Sequence, residues 1–159
     1  MNPTPQIALL AASGVSEHEM TAIQRALAAA KLRAHVVSPE NGLIHSWGDG
    51  TWGHCYPADA KLETSLGSDY DMLILPGGER HVQKLLKNPH TRRFVSAFFT
   101  TGKPLAVFAE GAEILKTNEL SGDNALILSY EDADALMAAA DQMIAHIAAN
   151  APAAMAQAA

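Results

Sequence analysis

The chain has 159 residues and a formal net charge of −6, and 48% of its residues are hydrophobic. This length is typical of one domain that buries about 70% of its unfolded surface without a disulfide or metal. The negative charge and the lack of a lysine–arginine cluster argue against nucleic acid or an anionic membrane as a partner. The single cysteine excludes an internal disulfide, and no secretory or membrane-spanning pattern is found. We therefore expect a soluble, cytoplasmic protein.

The N-terminal part of the sequence predicts a strand, a helix and a second strand. Gln6–Ala12 is short and apolar, which is typical of a buried strand. Ser13–Gly14 turns the chain, and Ser16 with Glu19 has the spacing of a helix capping box. An amphipathic helix and a strand over residues 33–37 follow. These elements form a βαβ unit, whose two strands should be parallel.

Residues 38–70 interrupt this regular pattern with several glycines and prolines. The Gly-Asp-Gly-Thr segment at 48–51 predicts a small hairpin. This region also contains Trp47, Trp52, His45, His54 and Cys55. The histidines and the cysteine lack the paired spacing that would supply three or four metal ligands, so no metal is expected. We interpret the region as a loop packed by its own aromatic side chains or against a partner subunit.

The second half of the chain predicts three further strands separated by helices. Met72–Leu75 is a short apolar strand, and Gly77 and Gly78 follow it closely. Their backbone N–H groups could form an anion-binding nest or a plain turn. Leu105–Phe108 is another buried strand, and a last short strand at 125–128 precedes a long closing helix.

The segment after Leu105–Phe108 turns sharply from strand to helix, and we call this turn the elbow. Gly111 permits the tight turn, and Ala112–Leu115 suits a helix. In open α/β sheets such a turn lies at the carboxyl edge of a strand, where nucleophiles are presented. Here its tip carries Ala109 and Glu110, so the tip offers no nucleophile.

Short apolar strands that alternate with amphipathic helices predict an α/β fold with a mostly parallel central sheet and helices on both faces. We expect a single domain over 1–159, with an ordered core over 6–147 and an alanine-rich tail over 150–159 that is frayed or loosely helical. No dinucleotide-binding glycine pattern follows the first strand, and no cofactor is expected.

Leu-Pro-Gly-Gly at 75–78 and Gly-Lys-Pro-Leu-Ala at 102–106, followed by a strand and a glycine-containing elbow, resemble the DJ-1/PfpI family. This family has the class I glutamine amidotransferase-like fold, and the resemblance covers residues 6–147. It implies a flavodoxin-like three-layer sandwich and often a dimer. Active members carry a cysteine at the elbow, usually followed by a histidine, and a glutamate from the turn after the first strand lies close to the thiol.

The catalytic positions of the family are not matched in this sequence. Ala109 stands at the nucleophile position and Glu110 at the histidine position. The alignment puts Ser16 where the acidic partner stands, and a shift of one residue would bring Glu17 there. The short connection after the elbow helix and the alanine-rich closing helix are also similar to the appended C-terminal domain of large-subunit catalases. That domain is not known for an activity of its own.

Two functional hypotheses follow from these observations. The first is a non-catalytic DJ-1/PfpI-like module that binds a partner, stabilises an assembly or acts in the stress response. It would be a homo-oligomer, and another protein is an alternative partner. The second is a re-equipped hydrolase or lyase that acts on a small carbonyl or amide substrate, with Glu110 as acid or base.

The candidate residues divide between these hypotheses. The further acid–base candidates for the second one are Glu17, Glu19, His18 and His81. The residues expected to line a binding site at the carboxyl edge are Ser13, Gly77, Gly78, Glu110 and Gly111.

Overall fold

The computed structural model describes residues 6–40 and 42–149. Within these residues the strands are β1 (Ile7–Leu10), β2 (Val15–Ser16), β3 (Ala34–Ser38), β4 (Leu43–Gly48), β5 (Thr51–Pro57), β6 (Ala60–Lys61), β7 (Met72–Leu75), β8 (Leu105–Phe108) and β9 (Ala125–Leu128). The α-helices are α1 (Glu17–Ala29), α2 (Glu79–Leu86), α3 (Pro89–Thr100), α4 (Ala112–Thr117) and α5 (Ala133–Ala149). The predicted tail over 150–159 lies outside the described residues.

The larger sheet has six strands in the spatial order β6-β3-β1-β7-β8-β9, and all of its pairs are parallel. The strand order reverses at β1, which pairs with β3 on one side and β7 on the other. In open α/β sheets, ligands bind at the carboxyl edge beside such a reversal. The parallel central sheet and the βαβ unit predicted from the sequence are confirmed.

Two apolar cores cover the two faces of this sheet, because successive residues of a strand point to opposite faces. Ile7 and Leu9 of β1 face a core with α1 and α5. Ala8 and Leu10 face a second core with α2, α3 and α4. This arrangement gives the expected three layers and leaves the carboxyl ends of the strands as the place for a site.

The smaller sheet has the order β2-β4-β5. β4 and β5 form an antiparallel hairpin whose turn residues Asp49 (φ 53°) and Gly50 (φ 78°) are both left-handed, which is typical of tight hairpins. The hairpin predicted around Gly-Asp-Gly-Thr is confirmed. The N–H of Gly14 donates to the His45 carbonyl (2.8 Å) and that of Ser16 to the Gly77 carbonyl (3.0 Å). These bonds fix the small sheet against the carboxyl edge of the large one.

The helix starts agree only partly with the predicted caps. Ser16 accepts a 3.4 Å hydrogen bond from the Glu19 N–H, as a capping residue does. The Ser16 N–H donates to the Gly77 carbonyl and not to the Glu19 side chain, so the predicted capping box is only half formed. Asp132 Oδ1 accepts from the Ala135 N–H at 2.8 Å near the start of α5. In the described part of the chain, no helix is long and apolar enough to cross a membrane.

Candidate functional site

The elbow connects β8 to α4 through one turn of 3₁₀ helix, Ala109–Gly111. Ala109 has a φ of 45°, which lies in the left-handed region that non-glycine residues seldom adopt. A Cβ at Gly111 would come 2.8 Å from the Leu75 carbonyl oxygen and 2.9 Å from that of Pro76. Only glycine therefore lets the elbow pack this closely against the end of β7, and the strained tip is occupied by a methyl group.

The carboxylate that lies beside the elbow belongs to Glu19. Its side chain is buried, with 1% of the residue exposed, although it belongs to the first turn of α1. The Gly77 N–H donates to Oε1 at 2.9 Å, and the Tyr130 hydroxyl donates to Oε2 at 2.8 Å. Helical side chains lean toward the N-terminus of their helix, which is how Glu19 reaches the carboxyl edge of the sheet.

Glu110 lies on the open side of the same turn. It is exposed, and its Oε2 accepts a 3.1 Å hydrogen bond from the Gly78 N–H. The two N–H groups of the predicted nest therefore already have acceptors, Glu19 for Gly77 and Glu110 for Gly78. Of the two alternatives for these glycines, the structure favours the plain turn, because the chain supplies both carboxylates itself.

Gly77 is the point around which these groups meet. A Cβ placed there would lie 2.5 Å from Glu110 Oε2, 2.9 Å from Glu19 Oε2 and 3.1 Å from the Ala109 Cβ. We call Glu19, Gly77, Ala109, Glu110 and Tyr130 the elbow cluster. Its two carboxyl groups and the methyl group surround one small space that only a residue without a side chain leaves free.

The protonation of the elbow cluster is governed by burial. Burial raises the pKa of Glu19. The hydrogen bonds from the Gly77 N–H and the Tyr130 hydroxyl act in the opposite direction, and the charge of Glu110 raises the pKa further. Burial also raises the pKa of Tyr130, and the Glu19 charge adds to this effect. Tyr130 therefore keeps its proton and serves as a donor, while Glu19 is the cluster's candidate for proton transfer.

His81, a predicted acid, has a structural role. It is fully buried, its Nδ1 accepts from the Ala12 N–H at 3.0 Å, and its Nε2 donates to the Pro76 carbonyl at 2.8 Å. Burial lowers its pKa to about 4, so the ring is neutral near pH 7. The imidazole thus joins the ends of β1 and β7 and has no nitrogen left for a substrate.

Ser13, predicted to line the binding site, is also fully engaged. Its N–H donates to the Glu40 carboxylate, and its hydroxyl oxygen accepts from the His45 N–H at 3.1 Å. Only 6% of the residue is exposed. The hydroxyl therefore holds the turn after β1 against β4.

Glu17 and His18, two further acid–base candidates, point to the hairpin. Glu17 Oε1 lies 2.8 Å from His54 Nδ1 and accepts from the His54 N–H at 3.2 Å. His18 Nε2 lies 3.2 Å from Asp49 Oδ1 at the hairpin turn. These contacts attach the hairpin to the start of α1, and the structure brings Glu19, not Glu17, next to Ala109.

The cysteine and the histidines of the hairpin do not assemble a metal site. Cys55 is exposed, and its Sγ lies 3.0 Å from Nδ1 of His45, whereas His54 turns to Glu17. Among the described residues, no group of three or more histidine, cysteine or acidic side chains is placed to hold a metal ion. Cys55 lies on β5, in the smaller sheet, and the elbow follows β8 of the larger one.

A family model described as the DJ-1/PfpI family matches residues 5–145. The chain belongs to the DJ-1/PfpI family. Protein DJ-1 homolog D of Arabidopsis thaliana is 34% identical over 77 residues, which make up 45% of this chain and 20% of that protein. The match therefore spans only about a fifth of that curated relative.

Solved structures of DJ-1/PfpI relatives share the fold. Schizosaccharomyces pombe DJ-1 matches with a TM-score of 0.70 and 15% identity, over 89% of this chain and 91% of that one. A DJ-1 superfamily protein from Salmonella typhimurium, solved as a cysteine-to-alanine variant, matches with a TM-score of 0.72 and 20% identity. This match covers 98% of this chain and 96% of that one. A two-domain protein from Anabaena variabilis with DJ-1/ThiJ/PfpI-like and ferritin-like domains matches with a TM-score of 0.75 and 18% identity. This match covers 91% of this chain and 48% of that one.

The placement of the acidic partner at Ser16 or Glu17 needs correction. Glu19 is the carboxylate close to the elbow in this DJ-1/PfpI chain. The sequence contains a signal for this, because Glu19 precedes Ile23 and Leu27 at intervals of four residues and so lies on the apolar face of α1. A carboxylate on a core-facing position needs a partner, and here that partner is the turn after β7.

Proposed function

We propose that the protein is a non-catalytic DJ-1/PfpI module that acts by binding or assembly. The observation that carries this proposal is the methyl group of Ala109 at the tip of the elbow, where a nucleophile would be presented. The backbone donors beside it already bind Glu19 and Glu110. A role in the stress response belongs to the same proposal and rests on the family resemblance.

Assembly would use the groove between α1 and α5, which has a volume of about 780 Å³. Its floor is largely alanine with Leu136 and Met137, and 51% of Met137 is exposed. Arg25 stands on the α1 wall and Asp141 on the α5 wall. A surface with both charges suits a two-fold contact with a second copy of the chain, because each charge can meet its opposite across the axis.

The assembly proposal is tested by light scattering at micromolar concentration. The wild type should have the mass of a dimer, and Met137→Glu should shift it to the monomer. Leu66→Glu is the matched control, because Leu66 is similarly exposed, at 53%, and does not line the groove. A monomeric wild type, or equal masses for both variants, would refute this interface.

The absence of catalysis is tested with methylglyoxal and peptide substrates. The wild type should be indistinguishable from buffer, since covalent catalysis requires a nucleophile at the elbow. Alkylation of Cys55 should change nothing. The informative variant is Ala109→Cys combined with Cys55→Ser, in which the only thiol lies beside Glu19 and should react with iodoacetamide, whereas Cys55→Ser alone should not. Saturable turnover by the purified wild type would overturn the proposal.

A second candidate function is a re-equipped hydrolase or lyase that uses acid–base chemistry. The observation in its favour is the raised pKa of the buried Glu19 next to the exposed Glu110, since active sites often pair carboxyl groups with different environments. If this function exists, Glu19→Gln and Glu110→Gln should each abolish a turnover that Cys55→Ser leaves intact. An adjacent carboxyl group contributes roughly 10²–10⁴-fold, so the loss should be of that order.

A further inference from the structure

An exposed arginine lies against both tryptophans of the chain at the rim of the small sheet. The Arg80 guanidinium carbon lies 4.2 Å from the Trp47 ring centroid and 5.6 Å from that of Trp52. The two indoles meet edge to face, with centroids 4.9 Å apart and planes at 82°. We call these three residues the Arg80 platform. It lies outside the elbow cluster.

The position of Arg80 is fixed at both ends. It occupies the first turn of α2, directly after the Gly77–Gly78 turn, and its Cβ packs so closely on Gly14 that a side chain there would clash. Trp47 and Trp52 are cross-strand partners in the hairpin, so the surface that receives the guanidinium is fixed as well. Contact with the two rings restricts the flat guanidinium, and Arg80 remains exposed, so its N–H groups are accessible to a ligand.

The charge of Arg80 is not neutralised by the chain. Within residues 6–40 and 42–149 it makes no ion pair and no hydrogen bond. Acidic side chains of the small sheet and its neighbours form ion pairs with other residues. Glu17 pairs with His54, Asp49 with His18 and Glu40 with Lys84. Arg80 is therefore a positioned cation with free donors in a protein of net charge −6.

We propose that the Arg80 platform binds a small organic carboxylate with a flat apolar body. The guanidinium presents two parallel N–H groups to the carboxylate, a geometry that favours bidentate binding. The apolar body lies against Trp52, of which 48% is exposed. This names a ligand class for the binding role proposed above and rests on it, but the platform is separate from the elbow.

The chain provides its own reporter for this site. Its only two tryptophans are Trp47 and Trp52, so intrinsic tryptophan fluorescence reports the platform alone. Benzoate is the probe, and benzamide is the matched neutral control with the same ring. Benzoate should change the emission saturably, and benzamide should not.

Four variants identify the contact. Arg80→Gln should weaken benzoate binding roughly tenfold or more, and Arg80→Lys should weaken it less, since lysine keeps the charge but not the paired donors. Arg92→Gln removes an exposed arginine on α3 and should bind like the wild type. Trp52→Phe tests the apolar contact and leaves Trp47 as reporter. Circular dichroism establishes that each variant is folded.

The outcomes separate this proposal from the proposed function. Equal affinity for benzoate and benzamide, or equal loss in Arg80→Gln and Arg92→Gln, would overturn the carboxylate site. No response of the wild type at millimolar benzoate would overturn it too, and would leave the absence of catalysis untouched. Turnover at the elbow, with benzoate binding intact, would overturn the non-catalytic proposal and leave this site standing.

Discussion

Replacing Ala109 with glycine should not destabilise the protein, although glycine usually does. Ala109 has a φ of 45°, a left-handed conformation that costs an L-residue about 1–2 kcal/mol. Ala109→Gly removes that cost. The matched control is Ala112→Gly, three residues further along the same turn, where φ is −62° and alanine is relaxed.

The opposing effects can be weighed from the structure. Glycine adds freedom to the unfolded chain, which costs about 0.4–1 kcal/mol, and the half-buried methyl of Ala109 contributes less than about 0.8 kcal/mol. Taking the middle of each range, the net effect of Ala109→Gly is close to zero, at about 0.4 kcal/mol of stabilisation. Ala112→Gly has only the unfavourable effects and should cost about 1 kcal/mol.

The assay is urea and thermal unfolding of the three proteins side by side. The two variants should differ by about 1–2 kcal/mol, and each kcal/mol corresponds to about 2–4 °C in Tm for a chain of this size. Equal destabilisation by both substitutions would refute the argument that the elbow stores strain.

Three further predictions concern the groups around the carboxyl edge. Lowering the pH from 6.5 toward 4 should destabilise the wild type relative to His81→Gln by up to roughly 1.4 kcal/mol per pH unit in urea titrations, because the unfolded chain takes up a proton that buried His81 refuses. Raising the pH above 4.5 should destabilise the wild type relative to Glu19→Gln, because the Glu19 carboxyl group holds a proton in the folded state that it releases in the unfolded state. A difference in unfolding free energy between the two proteins that does not change with pH would contradict this. Glu17→Ala should speed hydrogen exchange of the β5 amides roughly tenfold, because it removes the contacts of Glu17 with His54. Glu63→Ala, which replaces an exposed glutamate elsewhere, is the control and should leave this exchange unchanged.

The parts of the fold that depend on local pattern could be predicted from the sequence. β7 and β8 are runs of four buried residues, and such runs mark strands covered on both faces. The hairpin was found from Asp49 and Gly50, whose positive φ values match the turn chemistry. Element boundaries shifted by one or two residues, as at the first strand, which was predicted over Gln6–Ala12 and is Ile7–Leu10 in the structure.

The arrangement of the site could not be predicted in the same way, because it depends on contacts between distant residues. Glu19 and Gly77 are 58 positions apart, and the glycine turn alone does not tell which carboxylate it receives. The capping-box spacing also paired Glu19 with Ser16. In the structure the Glu19 carboxyl group binds Gly77, because it is buried away from water and needs a hydrogen-bond donor from the protein. His81 illustrates the same limit, since its partners Ala12 and Pro76 come from two other segments.

The central position of β1 has a consequence for how the chain folds. β1 pairs with β7, so Ile7 must find Met72 across 65 residues, and β8 joins later still. Contacts between distant segments slow folding, because a long loop must close before they form. Until β7 has been synthesised, one edge of an entirely apolar strand stays open, and such an edge can pair with other chains. Fragments that end before Met72 should therefore aggregate when they are expressed alone.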